Sequence, residues 1–308
     1  MQKQQVVLLF LLTVISKLPL HFLQSFSGFI AYFICHINQA QTIKNAQLNL
    51  KIALPQLSED EFQKIHLQAT KNEIKSYCEF LSIWGSSPEK NLSRIQNIVG
   101  EHHLHQAISD GKGIVLIVPH FGTWEILNTW LSQYTQLTIM YKPAKNSTAD
   151  AFVKAARSRE QAHLVPTNEV GVREIFKALK KGGTTCILPD HSPDQGVDIS
   201  PWFGIPLYSS QLSAKLIQKT KAAALLIYAL RNQTDGFDVT IEPMPQDIYE
   251  SEQGTLCLHQ TLEKLITTYP QHYHWTYKRF QASPATRGLY DKPHKIALDI
   301  IHDIRKNA

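Results

Sequence analysis

The chain opens on an uncharged apolar run at residues 6–15, is broken by Ser16, Lys17, Pro19 and His21, and turns apolar again over 28–34. Neither run reaches the roughly 20 residues that span a bilayer as one helix. Together they could span with Lys17 inside, at about 2.5–3.5 kcal/mol for a central lysine; the other possibility is a helix or hairpin lying in the interface. A cleaved signal peptide fits less well, because only Lys3 precedes the run and no A-x-A site follows it. Residues 1–37 therefore read as a retained, membrane-anchoring segment, with spanning and in-plane attachment both open.

The next rhythm is helical. Residues 39–54 keep helical spacing up to Pro55, and Ser58 with Glu61 forms a capping box opening a second helix. Its apolar positions Phe62, Ile65, Leu67, Ala69, Ile74, Tyr77, Phe80 and Leu81 keep a period near 3.6, and Ser86-Ser87-Pro88 ends it. From Gly111 the pattern changes to short β-branched runs separated by helical stretches. Strands are expected at 113–119, 137–141, 184–188 and 222–230, with an edge-like alternating strand at 237–241. Helices are expected at 123–134, 149–162, 171–181, 210–220 and 254–269. That order predicts an α/β fold: a mostly central β-sheet with helices on both faces, preceded by the anchor (1–37) and a helical region (38–99), with one catalytic-sized domain over 100–308. The amphipathic stretch 296–306 reads as a closing helix.

Composition narrows the classes without naming one. Apolar residues make up 43% and charged residues 19% of 308, which is globular and excludes disordered and collagen-like chains. The net charge of +5 suits an acidic partner or an anionic membrane surface but is too small to argue for nucleic acid. Cys35, Cys78, Cys186 and Cys257 stand far apart, which disfavours a disulfide framework or a cysteine zinc site. Neither G-x-S-x-G nor the glycine-rich nucleotide motifs occur.

Candidate chemistry concentrates in Val118-Pro119-His120-Phe121-Gly122-Thr123-Trp124-Glu125. A buried strand ends at Pro119-His120 and a helix starts just beyond, and open α/β sheets carry their catalysts at the carboxyl ends of strands. A chain doubling back at Gly122 could bring the Glu125 carboxylate to the His120 ring, fixing its tautomer and raising its basicity. Backbone N–H groups after Gly122 could then serve an oxyanion. The same residues can also be a helix cap or a satisfied core histidine. The histidines around Glu101 (His102, His103, His105) are poorly spaced for one metal.

HFGTWE resembles the H-x4-D/E motif of glycerolipid acyltransferases, and in this form the late acyltransferases of bacterial lipid A biosynthesis. The resemblance continues through 57–73, 177–183, ILPDHSPDQG (187–196), WFGIP (202–206) and PQHYHWTYKRF (270–280). It implies transfer of a fatty acyl chain from acyl carrier protein to the hydroxyl of a 3-hydroxyacyl chain on a lipid A precursor at the bacterial inner membrane, with the catalytic domain on the cytoplasmic side. No metal or organic cofactor is then needed; the partners are carrier protein, lipid A precursor and membrane lipid, with no nucleic acid. A related acyltransferase acting on another glycolipid or a polyene lipid is the alternative. His120 would be the general base and Glu125 its orienting acid. Arg157 and Arg159 resemble the family's arginine pair; only one is expected to face the site, and Arg159 is favoured for holding phosphate or developing charge. Asp190, directly after a strand, would position substrate or Arg159, and Lys142 with Lys145 would contact phosphate or carrier. Trp275 reads as core on a strand closing the sheet, with Arg279 left open.

Overall fold

A computed structural model describes residues 2–37, 41–192, 197–234 and 236–307. Four helices come first: α1 (Gln2–Lys17), α2 (Leu20–Ile37), α3 (Gln41–Ala53) and α4 (Glu59–Gly85). Pro19 and its neighbours break the apolar stretch in two, and the helices meet at a bend of 112°. Among the described residues no single helix is long and apolar enough to cross a membrane; the bent pair is the element the sequence read as an anchor. Ser58 caps α4 with the expected reciprocal bonds to Glu61. α1 seats on the end of α4, where a Cβ on Gly85 would lie 2.1 Å from Ser16 Oγ, and Lys17 Nζ donates to the Gly85 carbonyl at 2.6 Å. That lysine caps a helix C-terminus, a favourable place for a cation.

The remaining elements are α5 (Pro88–Leu92), β1 (Ile95–Val99), α6 (Glu101–Asp110), β2 (Ile114–Ile117), α7 (Glu125–Leu131), β3 (Thr138–Tyr141), α8 (Ser147–Arg159), β4 (His163–Pro166) and α9 (Glu169–Lys180). They continue with β5 (Thr184–Ile187), β6 (Val197–Trp202), β7 (Ile205–Ser210), α10 (Leu212–Thr220), β8 (Ala223–Arg231), β9 (Phe237–Pro243), α11 (Gly254–Thr268) and α12 (His294–Asn307). The central sheet has the order β1-β9-β8-β2-β5. β2 runs parallel to both β5 and β8, and β9 is antiparallel to β8, so the sheet is mixed. β3 and β4 pair in parallel beside it, joined to the β5 edge by a bridge from Leu137 to Thr184. β6 and β7 form a separate hairpin.

β2 is buried at every position, as a strand covered on both faces must be. Its side chains alternate between two cores. Val115 and Ile117 join Ala224 and Leu226 under α9, α10 and α11, while Ile114 and Leu116 join Leu225 and Ile227 under α6 and α7. Two sequence expectations are corrected. β9 is interior, because β1 pairs along its other side, and β1 itself was not foreseen. The segment 270–281 is not a closing strand; it holds only short 3-10 turns and one bridge, Phe121 to Tyr273, although Trp275 is buried as expected.

Candidate active site

Strand register builds the site. Ile117 of β2 lies opposite Ile187 of β5 in a parallel pair. Each chain continues through one apolar residue and a proline, and three positions on stand His120 and Asp190. Equal steps from a shared register leave them side by side at the carboxyl edge of the sheet. His120 Nδ1 is 3.0 Å from Asp190 Oδ1, and the His120 backbone N–H also donates to that carboxylate at 3.2 Å. A carboxylate only accepts, so Nδ1 carries a proton and Nε2 holds the lone pair of the neutral ring. The Asp190 side chain is 0% exposed and that of His120 is 21% exposed, so solvent reaches the imidazole but not its partner. Burial alone would raise the Asp190 pKa; the His120 charge and hydrogen bond outweigh it and hold the carboxyl well below the usual range.

Aromatic rings enclose the imidazole. His191 stacks on it at 3.6 Å between centroids with the planes 4° apart, and Tyr277 stacks on His191 at 3.6 Å and 12°. Trp124 stands edge-on to His120 at 5.1 Å. The Tyr277 hydroxyl accepts from the Ser192 backbone N–H at 3.1 Å. Arg279, fully buried, donates to Ser192 Oγ, Ser209 Oγ and the Tyr208 carbonyl, tying the 190–192 loop to β7.

The turn after His120 is fastened on every side. Gly122 has φ +60, and a Cβ there would lie 2.1 Å from the Ala229 carbonyl oxygen, so only glycine lets this turn lie against β8. The Gly122 N–H donates to the His272 carbonyl at 2.8 Å and the Thr123 N–H to the Ala229 carbonyl at 3.0 Å. Those two amides are therefore engaged and do not form the oxyanion cradle that the sequence suggested. Thr123 Oγ1 donates to Glu79 at 2.6 Å, and Glu79 also takes Arg231 and Gln24. His274 Nε2 donates to the Gly122 carbonyl at 3.3 Å; burial pushes this imidazole down to about 3, so it is neutral.

Glu125 is not the partner of His120. One carboxylate oxygen accepts from Trp84 Nε1 at 2.7 Å and the other pairs with Arg157 Nη2 at 2.8 Å. Consecutive helix positions are about 100° apart. Trp124 takes the direction toward His120, and Glu125, one step on, turns toward α4 and α8. Arg157 and Arg159 lie on a helix rather than in extended chain, and they diverge. Arg157 reaches Glu125 and lies over the Tyr141 ring at 5.3 Å, whereas Arg159 donates to the Trp84 carbonyl. The arginine beside the motif is thus Arg157, not the favoured Arg159, and Asp190 holds His120 rather than an arginine. Lys142 and Lys145 are exposed just beyond the carboxyl end of β3, at the same edge of the molecule.

Sequence reasoning missed Glu79, Arg231, His191 and the pairing role of Asp190. One signal for the last was present: β2 and β5 end alike, in Ile-Val-Pro-His and Ile-Leu-Pro-Asp. Two parallel neighbours with matching exits deliver matching positions to one edge.

The sequence model of the bacterial lipid A biosynthesis acyltransferases matches residues 4–282. The chain is similar to a lipid A biosynthesis acyltransferase of Haemophilus influenzae, 24% identical over 293 residues, covering 92% of this chain and 89% of that protein. It is also similar to the lipid A biosynthesis lauroyltransferase of Escherichia coli K12, 23% identical over 77% of this chain and 78% of that one. The palmitoleoyltransferase of the same organism is 22% identical, with 78% of each chain covered.

Proposed function

The chain belongs to the bacterial lipid A biosynthesis acyltransferase family, and from that premise we propose that it moves a fatty acyl chain from acyl carrier protein to the hydroxyl of a 3-hydroxyacyl chain on a lipid A precursor. The observation that carries the reading is the His120–Asp190 pair at the sheet's carboxyl edge, with His120 opening the HFGTWE motif. Nδ1 is committed to Asp190, so Nε2 is the nitrogen that takes the proton from the acceptor hydroxyl. The hydroxyl oxygen then attacks the thioester carbonyl carbon directly. As the tetrahedral adduct collapses, the carbon–sulfur bond breaks, the ester forms, and His120 returns its proton to the carrier's thiolate. Asp190 stabilises the imidazolium between these two transfers. No metal or organic cofactor enters this scheme.

Glu125 has a separate task in this reading. It holds Arg157, and Arg157 presents a fixed positive charge to the acceptor's phosphate or to the developing oxyanion. Lys142 and Arg159 add to the positive character of that edge. The location proposed is the cytoplasmic face of the inner membrane, with α1 and α2 meeting lipid. Exposed Val6, Phe10, Phe22, Phe26 and Phe29 support this, because soluble proteins seldom leave such a patch uncovered.

The test is purified enzyme with lauroyl-carrier protein and a tetraacylated precursor. Wild type should form the acyloxyacyl ester, and His120→Ala should fold yet lose about 10²–10⁴-fold in rate. Near-normal turnover by His120→Ala would falsify the base assignment. Mass spectrometry of lipid A from a deletion strain addresses the acceptor, since an unchanged acyl pattern would shift the reading to another glycolipid or polyene lipid.

A further inference from the structure

His191 and Tyr277, the two rings stacked in turn on His120, have no part in the scheme above. His120, Asp190 and His191 bring nitrogen and carboxylate atoms within 4.8 Å of one another, a combination that could suggest a metal. The ring geometry argues otherwise. An imidazole lone pair lies in its ring plane, and planes 4° apart with centroids 3.6 Å apart do not converge on one ion. A zinc ion needs both nitrogens at about 2.0–2.1 Å. What parallel rings can do is bear on each other face to face.

We propose that His191 is a positioning residue for His120: its ring, backed by Tyr277, sets the plane of the base and stabilises that base once it is protonated. The inference rests on His120 being the base. Each surrounding contact fixes one degree of freedom. Asp190 holds the Nδ1 corner, Trp124 stands against an edge, and His191 covers one face, so the ring cannot tip while Nε2 is at work. Tyr277 cannot slide, because its hydroxyl is tied to the Ser192 backbone, one residue beyond His191. The charged groups facing His191 are Asp190, His120 and Arg279. Burial, helped by the neighbouring positive charges and opposed by Asp190, pushes the His191 pKa down to about 4, which keeps the supporting ring neutral near physiological pH. A neutral π face against an imidazolium is attractive, whereas two charged rings at this distance would repel.

The experiment compares His191→Ala, His191→Phe, Tyr277→Leu and His120→Ala in the full-length protein, with lauroyl-carrier protein and a tetraacylated precursor, across pH. Loss of the ring in His191→Ala should lower kcat about tenfold while each KM stays within about threefold. The acid limb of kcat/KM, which reports the base, should move down by about half a pH unit, because the imidazolium has lost its support. His191→Phe restores a flat neutral face and should recover most of kcat. Wild-type kcat and an unmoved acid limb in His191→Ala would overturn the proposal. So would His191→Phe as impaired as alanine, or a defect confined to KM. Should His191→Ala not fold, Tyr277→Leu carries the test: it should shift the acid limb the same way by a smaller amount, and no shift refutes the stack. His120→Ala separates the two ideas, since its activity bears on the base and not on the ring beneath it.

Discussion

Two acids compete for the role of orienting His120, and the structure separates them by their partners. Asp190 touches the His120 ring and has no exposure to water, whereas Glu125 touches Trp84 and Arg157. Asp190→Asn keeps the size of the side chain and removes its charge. It should cut kcat by about 10²–10⁴-fold, because the imidazolium loses its counter-charge and the tautomer is no longer enforced. In the function proposed above, Glu125→Gln should instead raise the KM for a phosphorylated acceptor, because the guanidinium loses its clamp. Steady-state kinetics on both substrates distinguishes the two patterns, and equal kcat losses with unchanged KM would contradict the division. The sequence carried half of this arrangement. HFGTWE located His120, and the strand exit located Asp190 at the same edge. Counting positions along one chain favoured the acid five residues on. The register between β2 and β5 is a long-range fact, and it decides which carboxylate arrives.

At the scale of elements, α4 departs most from its sequence pattern. Its helical period and its capping box were legible, but the inward face is largely polar: Glu73, Ser76 and Glu79 are buried, while Tyr77, expected in the core, is half exposed. Periodicity finds a helix by its apolar stripe, and polar residues on the same stripe are invisible to it until their partners are known. Here the partners are distant in sequence. Glu79 receives Arg231 from the end of β8 and Thr123 from the turn after β2, so α4 holds the loop that carries His120. Removing Glu79 would strand Arg231, and Glu79→Ala should destabilise the fold by about 3–5 kcal/mol. A loss below about 1 kcal/mol in urea unfolding would refute this role. Glu73 makes the opposite contribution. Burial raises its pKa from 4.5 to about 7, against the bonds from Thr276 and Tyr77 that favour its charged form. Between those values the folded chain keeps a proton that the unfolded chain has released, so stability falls as pH rises through that window. The span corresponds to about 3 kcal/mol. Wild type should therefore lose stability from pH 5 to pH 8 relative to Glu73→Gln, whose amide does not titrate; parallel curves for the two proteins would contradict the assignment.

Across the whole molecule the bent pair α1–α2 has two faces with different duties. Leu23, Gln24, Ser27 and Ala31 are buried, and Gln24 donates to Glu79 at 2.8 Å, so the inner face belongs to the network that holds the His120 turn. Phe22, Phe26, Phe29 and Phe33 lie on the outer face at helical spacing, exposed beside Tyr32. Phe22 stacks on Phe26 and Phe29 meets Phe33 edge to face, yet each ring stays about half exposed, and a lipid surface would reward each by about 1–2 kcal/mol if half of the ring is buried. The two faces can be tested apart. Replacing Phe22, Phe26, Phe29 and Phe33 with serine should leave unfolding by urea nearly unchanged and weaken sedimentation with anionic phospholipid vesicles by at least about a hundredfold. Transfer to a detergent-dispersed acceptor should persist, because the site is built from other residues. Gln24→Leu should do the reverse: vesicle binding stays, while activity and stability fall as Glu79 loses a donor. A serine variant that still sediments with vesicles would refute lipid contact through this face, and one that unfolds would show the outer phenylalanines to be part of the core.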